Sequence, residues 1–174
     1  MEDRTDISTN KELFKKVRAL NLPAGEYALF GSAPLGIRGI KECRDADVIV
    51  SRRVFEGFRG VSGWETKTTD FGMEYLSSGP VELWKNWHPG MWNIEELMRD
   101  AEIIDGLPFV RLERVLEWKK LLRREKDISD IALIEHFLGR WKFYLRPPDA
   151  WEAMLGDCAE AKETIDVESY IFVA

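Results

Sequence analysis

Residues 30 to 50, FGSAPLGIRGIKECRDADVIV, hold the densest grouping of side chains capable of chemistry. Gly31 ends an apolar run and lets the backbone turn sharply and approach a ligand. Ser32 adds a hydroxyl donor, and the N–H groups that open the next helix point at any anion lying there. A triphosphate suits such a turn. Twelve residues separate Ser32 from Asp45, and Asp47 follows two positions later. On a strand that spacing projects both carboxylates from one face, with Ala46 and Val48 on the other. Paired hard oxygen ligands match Mg²⁺, which takes one or two carboxylates, retained waters and phosphate oxygens, while a second ion activates an attacking oxygen. In phosphoryl-type transfer a protein supplies position and charge neutralisation more than covalent chemistry, so a third carboxylate is expected nearby.

These residues need a frame. Thr9 and Glu12 have capping-box spacing, and Leu13, Phe14, Val17 and Leu20 recur at helical intervals, which predicts a helix over 10–20. Tyr27 to Phe30 reads as a buried strand feeding the Gly31-Ser32 turn. Ala33 to Arg38 reads as a short helix with Pro34 in its first turn and Gly39 closing it, and Ala46 to Val50 as a second strand. Strands are expected at 64–69, 72–76 and 81–87, with Ser77-Ser78-Gly79-Pro80 as a turn. Asn93 and Glu96 predict a helix near 93–101, and Asp105-Gly106 a turn between two extended pieces. The last third is helical: Leu112, Val115, Leu116 and Leu122 mark one apolar face, Ile128, Ile131, Ala132, Phe137 and Leu138 another, and Pro147-Pro148 opens a final helix.

The 174 residues suffice for one sizeable core, read here as one domain with its core over 25–140 and a helical tail over 141–174. With a net charge of −6, non-specific attraction to nucleic acid is disfavoured, and no DNA partner is expected. No stretch holds the roughly 18 apolar residues of a membrane span, and the acidic start MEDRTD targets nothing for export. Cys43 and Cys158 lack disulfide or zinc-site spacing, so a cytoplasmic location is expected.

Phe30-Gly31-Ser32, a gap of twelve, and Asp45-Ala46-Asp47-Val48 together resemble the minimal nucleotidyltransferases of the DNA polymerase β superfamily. Gly39, Arg44, Lys119 and Lys126-Asp127-Ile128-Ser129-Asp130 are similar to the subgroup that includes abortive-infection toxins, although many relatives have Ser where Arg44 stands. The resemblance covers roughly residues 25–140. It implies an α/β fold with a mixed sheet, helices on its flanks and a C-terminal helical layer. It also implies a nucleoside triphosphate such as ATP as donor, a two-ion Mg²⁺ site on Asp45, Asp47 and a third carboxylate, and nucleotide binding by Gly31, Ser32, Lys119 and Asp127. In that family the third carboxylate stands on a later strand beside the Asp-x-Asp strand, making Glu82 the first choice and Glu74 the second. The acceptor, a hydroxyl or amine on a small molecule, protein or RNA, is not specified.

Each feature also has a plainer reading. Asp127 stands where an N-cap belongs, with Asp130 three residues on; the basic run from Lys119 to Lys126 reads equally as a solvated face. Trp84, Trp87 and Trp92 suit a base-stacking surface or a core, and His88 and His136 lack partners at ligand spacing. Two alternatives therefore accompany transfer to a small acceptor: a degenerate fold that binds nucleotide or protein without turnover, and an enzyme directed at an RNA end.

Overall fold

The computed structural model describes residues 7–122 and 124–144. The chain divides into two compact units, Met1–His136 and Phe137–Ala174. The first contains the whole sheet; the helix expected after Pro147-Pro148 lies outside the described residues.

The fold is α/β, with a mixed seven-stranded sheet and helices as expected. Its strands are β1 (Tyr27–Leu29), β2 (Ala46–Val50), β3 (Glu65–Thr68), β4 (Glu74–Ser78), β5 (Val81–Trp84), β6 (Glu102–Ile104) and β7 (Leu107–Phe109). They lie in the order β3-β4-β5-β2-β1-β7-β6. β1 runs antiparallel to β2, and β2 runs parallel to β5. The helices are α1 (Ile7–Ala19), α2 (Ala33–Gly36), α3 (Arg52–Phe58), α4 (Ile94–Arg99), α5 (Leu112–Leu122) and α6 (Glu125–Tyr144).

Strand alternation divides the sheet into two chemically different faces. Ala46, Val48 and Val50 of β2 join Val81 and Leu83 of β5, Leu76 of β4 and Leu29 of β1 in one apolar core. That core includes Leu13, Phe14 and Val17 of α1 and Val54 and Phe55 of α3. Burial of each such side chain contributes roughly 1.5–3 kcal/mol. The residues between them, Asp47 on β2, Glu82 and Trp84 on β5, and Tyr75 and Ser77 on β4, take the opposite face.

Several local expectations are corrected. Thr9 lies inside α1, which starts at Ile7. Ser77 and Ser78 belong to β4, held in register against Glu82 and Val81, so the turn is confined to Gly79-Pro80. α3 was not foreseen: its signal is Ser51, whose hydroxyl accepts the Val54 N–H at 3.2 Å and caps a helix rich in charge. The face α6 turns inward carries Asp127, Asp130 and Ile134, whereas Ile128 is 65% exposed. Counting apolar residues misplaces this stripe because its first two members are acids that meet a buried cation.

Candidate functional site

Asp47 and Glu82 sit directly opposite each other in the parallel β2–β5 pair and therefore share a face. They open into a cleft of about 790 Å³, also lined by Asp45, Gly31 and Ser32. Asp45 is not on the strand, as the spacing had suggested; it is the exposed residue just before β2, free of the pleat and still at the cleft. The turn and the acid strand are joined at two points. The Phe30 N–H donates to the Asp47 carbonyl at 2.8 Å. Gly31 has φ +61°, and a Cβ there would fall 2.2 Å from Asp47 Oδ2. Glycine is thus required twice, for the left-handed backbone and for the space the carboxylate fills.

The acids are poorly compensated. Burial, then repulsion from Asp45 and Glu82, pushes the Asp47 carboxyl up to about 7. Glu82 is also raised, by burial and then by Asp45, with Lys67 pulling the other way. The indole N–H of Trp84 approaches both carboxylates and eases both, yet completes a hydrogen bond with neither. Glu74 stands elsewhere: Arg59 donates to it at 2.8 Å and Lys85 at 3.0 Å, holding its carboxyl down at about 2. Alternation from Tyr75 turns it to the far face of β4, which leaves Glu82 alone of the two at the cleft. Among the described residues no three His, Cys, Asp or Glu side chains converge tightly enough to enclose a metal by themselves. Mg²⁺ asks less than that, because waters and substrate oxygens fill most of its sphere.

Lys119 reaches the cleft wall from α5, but it is 4% exposed, not part of a solvated face. Its Nζ donates to Asp127 Oδ1 at 3.1 Å and to Asp130 Oδ2 at 2.8 Å. Asp130 also accepts from Lys41 Nζ at 2.6 Å, and Asp127 from Arg124 Nε at 2.6 Å. Burial opposes both acids, yet these donors outweigh it and hold both carboxyls below the usual range. Asp127 is the third residue of α6, not its cap, and is not part of the cleft lining. The network ties α5, α6 and the segment before β2 together. Lys41 and its pairing with Asp130 carried no sequence signal, since the two residues lie far apart in the chain.

The third part of the cleft is aromatic. Trp87 and Trp118 line it, their rings tilted 5.0 Å apart, and behind them the buried Phe30 meets Trp87 edge to face at 4.4 Å and Trp118 at a tilt at 5.2 Å. Trp92 packs on Phe30 at 6.5 Å and donates from Nε1 to the Pro89 carbonyl at 2.7 Å. Tyr75 lies flat on Trp84, 4.3 Å away with 9° between the planes. At the rim the β3–β4 turn carries Phe71 to within 4.6 Å of His88. His136, by contrast, is exposed on α6. Tyr75 and Phe71 were missed by the sequence reading; the alternation Glu82-x-Trp84 was the available clue.

No described helix is long and apolar enough to cross a membrane. No protein-family model matches the chain. No curated protein matches it at a significant level. Among solved structures it is similar to the crystal structure of ANT(2″)-Ia in complex with adenylyl-2″-tobramycin, at 15% identity over 78% of this chain and 91% of that one, with a TM-score of 0.43.

Proposed function

We propose that this chain is a Mg²⁺-dependent nucleotidyltransferase, moving a nucleotidyl group from a nucleoside triphosphate to a hydroxyl or amine while pyrophosphate leaves. The observation that carries this reading is the register that sets Asp47 opposite Glu82, with Asp45 at the same cleft and Gly31 packed against the Asp47 carboxylate. The residues fit the cation, since three carboxylates line one cleft and burial, then mutual repulsion, raises the proton affinity of Asp47 and Glu82, which a bound cation would offset.

Asp45, Asp47 and Glu82 would hold Mg²⁺, as one or two ions. When bound, Mg²⁺ neutralises phosphate charge and acidifies the attacking group. Gly31 lets the backbone approach the β- and γ-phosphates, and Ser32, whose hydroxyl makes no cap bond of its own, donates to them. Arg44 and Lys126 line the same wall and offset phosphate charge, while Lys119 adds a fixed positive field from behind. Asp127 acts through Lys119, fixing where that ammonium stands. Glu82, with its raised proton affinity, takes the acceptor proton on its carboxylate.

A panel of the four nucleoside triphosphates, each with Mg²⁺, followed by thermal melting tests this. A ligand at a hundred times its dissociation constant stabilises by about 2.7 kcal/mol, several degrees for a domain of this size. The wild type shifts with at least one nucleotide and Asp47→Asn does not; equal shifts in both, or none in the wild type, would sink the reading. The second reading, a nucleotide-binding module without turnover, is favoured by the lack of three tightly converging ligands among the described residues. Pyrophosphate release under the same conditions separates the two. A strongly salt-dependent RNA affinity would instead point to an RNA-end acceptor, which the net charge of −6 opposes.

A further inference from the structure

The two ends of the cleft differ in chemistry. Towards the segment before β2, α5, α6 and the link between those helices lie Lys41, Arg44, Lys119, Arg124 and Lys126, with Asp130 among them. On the other side, over β4 and the β3–β4 turn, lie Phe71, Met73, Tyr75 and His88. Apart from the three acids at the centre, Asp70 is the one carboxylate on that second side among the cleft-lining residues.

In-line displacement at phosphorus places the attacking oxygen opposite the leaving pyrophosphate. Arg44 and Lys126, which the Asp127–Asp130 network does not neutralise, draw pyrophosphate to that end, against the single Lys67 near Glu82 over β3, so the attacking hydroxyl arrives from the aromatic side. Resting on the nucleotidyl-transfer reading, the geometry points to an acceptor subsite built from Phe71, Tyr75 and His88 that takes an uncharged molecule with a flat, stackable ring beside its hydroxyl. The acceptor oxygen forms a bond to Pα, the Pα–O bond to the β-phosphate breaks, pyrophosphate carries away the electron pair, and the hydroxyl proton passes to Glu82.

Phe71 is the clearest mark of this subsite. It is 59% exposed at the tip of a hairpin whose fold does not need it: the Met73 N–H donates to Thr69 Oγ1 at 3.0 Å, and the Gly72 N–H to the Thr69 carbonyl at 2.9 Å. An exposed aromatic ring leaning on another ring at a cleft mouth offers a stacking surface, where a ring ligand gains contact area and loses little entropy. A polycation would find a single acid there to meet several charges. A nucleoside and an aryl sugar both meet the requirement, and the two differ in where the ring comes from.

The test uses the full chain with adenosine and 4-nitrophenyl β-glucoside as probes, followed by saturation-transfer NMR without nucleotide, and in parallel by Mg²⁺–nucleotide melting. The wild type transfers saturation to the ring protons of at least one probe. Phe71→Ala weakens that binding at least fivefold, Phe71→Tyr retains it, and the nucleotide-induced melting shift is the same in all three proteins. Adenosine alone binding identifies a nucleoside-type ring, and the glucoside alone an aryl ring. Binding of neither probe, or tighter competition by spermine than by either ring, overturns the subsite. So does a Phe71→Ala protein that keeps the probe but loses its nucleotide shift, which would give the aromatic end to the donor base. Failure of the wild type to shift with any nucleotide, with ring binding intact, sinks the transferase reading and leaves a ring-binding pocket.

Discussion

Two acid clusters, one opening into the cleft and one buried around Lys119 in its wall, are built in opposite ways. Asp127 and Asp130 are buried with partners: Lys119, Lys41 and Arg124 satisfy their oxygens and hold their protons off. Asp47 and Glu82 are crowded by another acid and lean toward protonation, with one approaching indole N–H that completes no bond. The first arrangement holds helices in place. The second disfavours its own charged form, a cost that the proposed cation would offset. Compensation thus distinguishes the two clusters, and on the proposed reading it separates acids that serve the structure from acids that would hold a ligand.

The sharpest way to break the contrast is Lys119→Met, which keeps side-chain volume but removes the central cation of the satisfied cluster. Breaking a buried pair by removing one partner costs about 3–5 kcal/mol. Chemical denaturation is expected to show a loss of that order; a change within error would mean that Arg124 and Lys41 suffice. The next largest effect is Gly31→Ala, expected to lose about 2–3 kcal/mol by the same measurement from positive-φ strain and the collision with Asp47 Oδ2. The double variant with Asp47→Gly should recover the part due to collision.

Asp47→Asn has the opposite sign. In the folded protein Asp47 titrates near 7, above its ordinary range, so the folded state binds the extra proton and stability falls as pH rises from about 4 to 7, then levels off. Without metal, the variant should be more stable at pH 8 by about 1–3 kcal/mol, discounted for partial exposure, and equally stable at pH 4. Asp127 and Asp130 run the other way: their contribution is present above the ordinary Asp range and is lost as pH falls through their lowered values. Melting from pH 3 to 8 should therefore show a mid-range maximum, its alkaline limb flattened in Asp47→Asn. The smallest effect belongs to Glu74→Gln, on the far face, where the nucleotide-induced shift should not change.

What the sequence disclosed follows from what is local. The turn, α2 and β2 lie within about twenty residues, and apolar runs, Pro34 and Gly39 specify them without reference to the rest of the chain. Glu82 could be placed beside the acid strand only through the family resemblance, because its partnership with Asp47 arises from a parallel pairing across α3 and the β3–β4 hairpin. The Lys119 network was half legible. Its residues stood out as a charged run, but whether Lys119 points inward depends on how α5 and α6 cross. The aromatic end was least legible, since a tryptophan or phenylalanine in a strand or turn has the same local pattern whether it fills a core or rims a cleft.

The contact between Gly31 and Asp47 has a consequence for the chain's own history. With no room for a side chain at 31 while the acid remains at 47, the two positions cannot drift independently. A lineage that abandons the acid frees the space at 31 but keeps the strain of a left-handed backbone there, whereas one that keeps it meets both obstacles to any residue but glycine. Any descendant carrying a larger residue at 31 has therefore either lost Asp47 or moved the strand that bears it, so a change at one position announces a change at the other.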